Sequence, residues 1–233
     1  MTQEQKNSFI GLFALVLVIG GIYYFKNRAD NAPIPPEEVN IEDINTPPVT
    51  PLTPEEETIN KANQANSEEL KAQEAVRKAK WNKAMDNART AFGKGEYDKA
   101  LAFYNEALSY YKTDTGYAGL FFVYSAQNNT EKARAALDSA IQINPKFSEY
   151  WKSKLTLLDE KTNISFADLK KIYQDGLAKV DGSTKINLVT HFAGIAESNG
   201  QNAEAIAVWE YAKELYPQNS SIYQGEIERL QNM

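Results

Sequence analysis

The chain has 233 residues, a formal net charge of −6 and a pI near 5.1, with no cysteine and one histidine. Neutralising a phosphate backbone takes a concentrated surplus of lysine and arginine, so this balance excludes nucleic acid as the main partner. Without cysteine there are no disulfides, thiolate nucleophiles or cysteine metal sites, and one histidine excludes a two-histidine zinc site.

Residues 9–25 read FIGLFALVLVIGGIYYF, 17 positions without a charged side chain. As a helix they span about 25 Å, close to the hydrocarbon core of about 30 Å. Ser8 and the Tyr23–Tyr24 pair extend the segment to the headgroup level, where tyrosine is comfortable, so residues 8–25 read as a single membrane pass. Cleavage of a signal peptide requires small residues just past the apolar run. Tyr23, Tyr24, Phe25 and Lys26 stand there instead, and residues 1–28 are therefore expected to stay attached as an anchor. One cation precedes the helix (Lys6) and two follow it (Lys26, Arg28), which by count alone draws the C-terminal part towards the cytoplasm. Large domains translocate largely regardless of charge, and a short head before an apolar run resembles a bacterial signal anchor. The extracytoplasmic side is preferred on that ground.

Residues 29–66 form the next compositional block, with seven prolines from Pro33 to Pro54 among acidic and polar residues. Such sequence cannot sustain a helix and has little apolar surface to bury, so a flexible linker is expected. In polyproline II form the stretch from Pro33 to Pro54 reaches about 70 Å. PIPP and TPPVTPLTP also fit a proline-reading groove, but a spacer is the simpler reading. The glutamates at 55–57, directly after Thr53–Pro54, suit a helix N-terminus.

Residues 67–233 are helix-forming and self-similar. One copy carries Gly95, Tyr97, Ala100, Tyr104, Ala107 and Leu108; the next carries Asn128, Ala133, Leu137, Ala140 and Ile141, closed by Asn144–Pro145. A degenerate copy has Leu169, Tyr173, Gly176 and Leu177, and a late one has Gly200, Ala205, Trp209, Ala212 and Pro217. Ala100, Ala133, Leu169 and Ala205 lie 33, 36 and 36 residues apart. This pattern resembles the tetratricopeptide repeat, a helix–turn–helix unit of about 34 residues, over roughly residues 81–217. Small residues let paired helices approach, and large ones fill the space between units. Leu169 and Gly176 replace the usual small residue and alanine, so the third unit is expected to pack differently. The first helices of the units are expected at 67–92, 115–127, 148–160 and 183–198, with a polar-faced terminal helix at 220–230 closing the last apolar face. The predicted architecture is all-α: one membrane helix, a disordered linker, and a solenoid of about nine helices.

No catalytic or metal-binding constellation is legible. Gly93–Lys94–Gly95–Glu96 lacks the spacing of a phosphate loop and reads as a helix–helix turn. His191 has no nucleophile elbow near it. Asp159–Glu160 and Glu226/Glu228 fall on polar helix faces, where solvation is the default. No cofactor is expected.

The resemblance implies that the first helix of each unit lines a concave groove holding a peptide or partner helix. It places Asn82, Met85, Arg89 and Phe92 there from the first unit, Gly119, Phe122 and Ser125 from the second, and Asn187, Thr190 and His191 from the last. Arg89 is the only cation among them, so a clamp for C-terminal carboxylates is not expected. The function expected from this order of parts is a membrane-anchored scaffold or adaptor that binds a protein or peptide partner. The alternatives are an envelope enzyme with the repeats as accessory, or a self-assembling homo-oligomer.

Overall fold

Helices are the regular structure of residues 53–233, the part that this computed structural model describes. Among them nine α-helices follow one another: α1 (Pro54–Gly93), α2 (Tyr97–Tyr110), α3 (Asp114–Ala126), α4 (Thr130–Ile143), α5 (Ser148–Lys161), α6 (Phe166–Leu177), α7 (Lys185–Ser198), α8 (Asn202–Leu215) and α9 (Ser220–Gln231). Single 3-10 turns at Gly182–Thr184 and Pro217–Asn219 lead into α7 and α9. The expected membrane helix and most of the linker lie outside the described residues. Among the described residues, no helix is long and apolar enough to cross a membrane.

The chain divides into two units, Met1–Lys83 and Ala84–Met233. In the first, α1 begins at Pro54, where the glutamates at 55–57 suit a helix N-terminus, and not at Ser67 where the first unit's helix was expected, so residues 54–66 are helix and not linker. The physical reason is that Pro54 opens a helix instead of breaking one. Its missing N–H is among the unpaired donors of a first turn, and no proline or glycine follows until Gly93. Its carbonyl accepts from the Thr58 hydroxyl at 2.8 Å, while the Glu57 N–H donates to the Thr53 carbonyl.

The second unit is an all-helical solenoid of the repeat kind. Its turns repeat one device: the chain leaves α1, α3 and α7 through Gly95 (φ +74°), Asn128 (φ +54°) and Gly200 (φ +69°). After each, an N–H reaches back five residues, Glu96 to Ala91, Asn129 to Tyr124 and Gln201 to Ala196, at 2.8–2.9 Å. That left-handed exit pairs the end carbonyls and reverses the chain into the next helix. N-caps then start α3, α4 and α6: Thr113, Asn129 and Ser165 accept from the N–H groups of Gly116, Lys132 and Asp168.

Small residues set the approach of neighbouring helices. Ala100, Ala107, Ala133, Ala140, Ala205 and Ala212 are all fully buried. Tyr104 lies flat over Gly119, where a Cβ would sit 2.2 Å from its ring. The degenerate third unit solves its packing in the same way. A Cβ on Gly176 would meet the Trp151 indole at 2.8 Å, so the glycine on α6 makes room for the tryptophan of α5. Beyond it, Phe192 of α7 stacks on Tyr173 (4.1 Å) and Phe166 (5.7 Å). Leu230 of α9 closes the series on Ala196 and Ala205, with Trp209 beside them.

Candidate interaction face

The first helices α3, α5 and α7 and the closing helix α9 are tied in succession by side chains. Asp114 on α3 accepts from Tyr150 of α5 (3.1 Å) and from Asn144 (2.9 Å). Between α5 and α7, Thr156 Oγ1 lies 2.8 Å from His191 Nε2, and the Asn199 amide just past α7 donates to Asp159 at 2.9 Å. Between α7 and α9, Arg229 grips Glu197 through both terminal nitrogens (2.8 and 2.7 Å) while also pairing with Glu226. The Arg229 pairing holds the Glu197 carboxyl below its usual range. These ties fix the mutual register of the helices and leave a row of half-buried polar groups along them.

α5 supplies the centre of this row. Lys152 and Glu149 pair at 3.0 Å on one side of the helix, with Thr156 one turn further on. The His191 ring docks against that turn, its Nε2 bonded to Thr156. Burial and the nearby Lys152 ammonium push its pKa below the ordinary 6.5, so the neutral imidazole is the folded form. Thr156 and His191 stand at the separation of a nucleophile and its base. The contact joins α5 to α7 and ties the two helices. Among the described residues, no cluster of histidine and carboxylate side chains is arranged to hold a metal ion.

The residues expected to line a groove divide into three sets. Met85 and Phe92 are buried core residues, at 1% and 9% exposure, and Gly119 is covered by Tyr104. A helix face turned towards its own neighbours cannot also meet a partner, which is why these three fall out. Asn82 is exposed but belongs to the first unit. The remaining residues lie in the second unit with surface still available. Arg89 is partly exposed and paired to Asp86 at 2.9 Å. Phe122 rests against Phe121, with ring centroids 5.0 Å apart. Asn187 is exposed, Thr190 donates to its carbonyl at 3.4 Å, and His191 makes the contacts described above. Ser125 is half-buried, and its Oγ has no hydrogen-bond partner. The Tyr104 hydroxyl is also buried without one, and burial raises its pKa well above the usual value.

Glu149, Lys152, Thr156 and Asp159 were absent from the expected set, although the sequence carried the signal. Pro145 stands three residues before Ser148, as Pro217 stands three before Ser220. That shared spacing equates α5 with α9, 72 residues on, and so marks α5 as a helix that opens a unit. The degenerate second half of the third unit hid the correspondence.

A search of curated proteins finds no match. Among solved structures, the chain is similar to pilF of Pseudomonas aeruginosa, with 14% identity, a TM-score of 0.48, and coverage of 66% of this chain and 69% of that chain. It is also similar to TTC0263, a thermophilic TPR protein of Thermus thermophilus, with 19% identity, a TM-score of 0.44, and coverage of 63% and 78%. A tetratricopeptide-repeat family model matches residues 91–157, which span the end of α1, all of α2 to α4 and most of α5.

Proposed function

We propose that this chain is a membrane-anchored scaffold that binds a protein or peptide partner along the row of first helices in its repeat unit. Tetratricopeptide repeats generally mediate protein–protein interaction, and residues 91–157 match that family. The observation that carries the reading is the polar row at the α5–α7 junction. Glu149, Lys152 and Thr156 of α5 stand beside His191 of α7 on helices held in register by side-chain ties, a preorganised surface that costs little ordering on binding. The apolar run at 9–25 and the proline-rich stretch after it support a tether that holds this surface away from a bilayer, on the extracytoplasmic side. The chain acts by binding and not by turnover.

Photo-crosslinking from a probe at Ser153 in the full-length chain, in native membranes, tests the reading. A discrete adduct with one partner, lost in a Lys152→Glu/Thr190→Arg variant that still folds, is expected. A probe that captures nothing, or captures the same proteins in the variant, removes the face from consideration. Protease digestion of the repeat unit in intact spheroplasts tests the side: digestion without lysis is expected, and protection until lysis places the unit in the cytoplasm. Hydrolytic turnover abolished by His191→Ala would replace the scaffold by an enzyme.

A further inference from the structure

The first 30 residues of α1 carry an unusual charge order. Positions 54–69 hold five glutamates and one cation, Lys61, whereas positions 70–83 hold five cations and one carboxylate, Glu74. Three of their large apolar side chains are open to solvent: Ile59, Leu70 and Val76 are 55%, 58% and 55% exposed. A solitary solvated helix is stabilised by opposite charges mixed at i,i+3 and i,i+4 spacing. Some of that exists here, in the Arg77–Glu74 pair and the Gln73–Glu69 hydrogen bond. It does not account for signs sorted by half.

We propose that this segment pairs antiparallel with the same segment of a second copy of the chain. Antiparallel alignment sets each acidic half against a basic half, whereas parallel alignment sets like against like. The sequence also contains a seam suited to that alignment. Positions 55, 59, 62, 66, 69, 73, 76 and 80 recur at alternating spacings of 4 and 3, the heptad seam of paired helices. Reversing the direction maps this set onto itself: Glu55 meets Lys80, Ile59 meets Val76, and Asn66 meets Glu69. The ends are thus closed by opposite charges and the next layer in is apolar. The centre pairs an amide donor with a carboxylate, and polar seam residues of that kind fix register and direction at some cost in affinity. Leu70 flanks the centre and covers part of it.

The chain has no cysteine, so full-length single-cysteine variants give an unambiguous readout. In the proposed register residue 59 lies opposite 76, and the two copies of residue 59 stand about 25 Å apart along the axis. Ile59→Cys and Val76→Cys chains, purified in detergent and mixed, are expected to form a disulfide-linked heterodimer. Each variant alone is expected to form no disulfide link under the same oxidation. Lys78→Glu with Lys80→Glu should lower the 59–76 yield at least fivefold, and adding Glu55→Lys with Glu57→Lys should restore it. Self-linked dimers of each single variant would show a parallel pair and overturn the proposal. No linkage in any mixture would overturn it too, leaving α1 a solitary helix. A yield indifferent to charge reversal would remove its electrostatic basis.

Discussion

Gly119 and Gly194 both lie inside helices, and only their surroundings separate them. A Cβ at 119 would enter the Tyr104 ring, whereas one at 194 meets nothing within 4 Å. Gly119→Ala forces the ring and α3 apart and is expected to cost about 1–3 kcal/mol. Gly194→Ala relieves only backbone entropy and is expected to add about 0.5–1 kcal/mol. Urea denaturation of the two variants measures both signs. His191 gives a pH signature at the same scale. Its folded pKa lies below 6.5, so the unfolded chain binds the proton more readily. Its contribution is complete above the ordinary pKa and is lost as pH falls through the folded value. The stability difference between wild type and His191→Gln should therefore shrink from about pH 7.5 towards pH 5. A difference constant across that range would show that the ring is not held neutral.

At the scale of elements, starts and stops follow local chemistry closely. α7 ends at Ser198 and α9 starts at Ser220, as the sequence predicts, and α5 ends at Lys161, one residue past the expected end at 160. Ser165 starts α6, its hydroxyl oxygen accepting from the Asp168 N–H at 3.2 Å. Ser165→Ala is expected to lower the unfolding free energy by about 1 kcal/mol, read from the denaturation midpoint at unchanged slope. α1 is the exception at this scale. The repeat pattern put the first unit's helix start at Ser67 while the glutamates after Pro54 suited a helix N-terminus, and the last proline of the block is itself the first residue of the helix. Composition averages over a boundary that one residue sets.

For the molecule as a whole, the expected anchor carries a prediction of its own. Deleting residues 1–28 should move the chain from the membrane pellet to the soluble fraction while leaving the helical circular dichroism of 54–233 intact. A truncated chain that still sediments with membranes would shift the attachment to another part of the sequence.

The sequence by itself determined that this is a helical repeat chain, where most of its turns fall, and which positions must be small. Those features are local or periodic: a left-handed turn needs Gly95, Asn128 or Gly200 within a few residues of a helix end, and a buried alanine recurs at the repeat length. The family match at 91–157 coincides with the copies in which these signals are strongest. Only the tertiary structure decided which groove candidates keep a surface. Met85 and Phe92 occupy face positions by count, yet neighbouring elements of their own unit cover them. It likewise placed the centre of the polar row on α5, because the contact of Thr156 with His191 joins residues 35 apart in sequence. Contacts at that separation depend on how two units stack, which no pattern within either unit specifies.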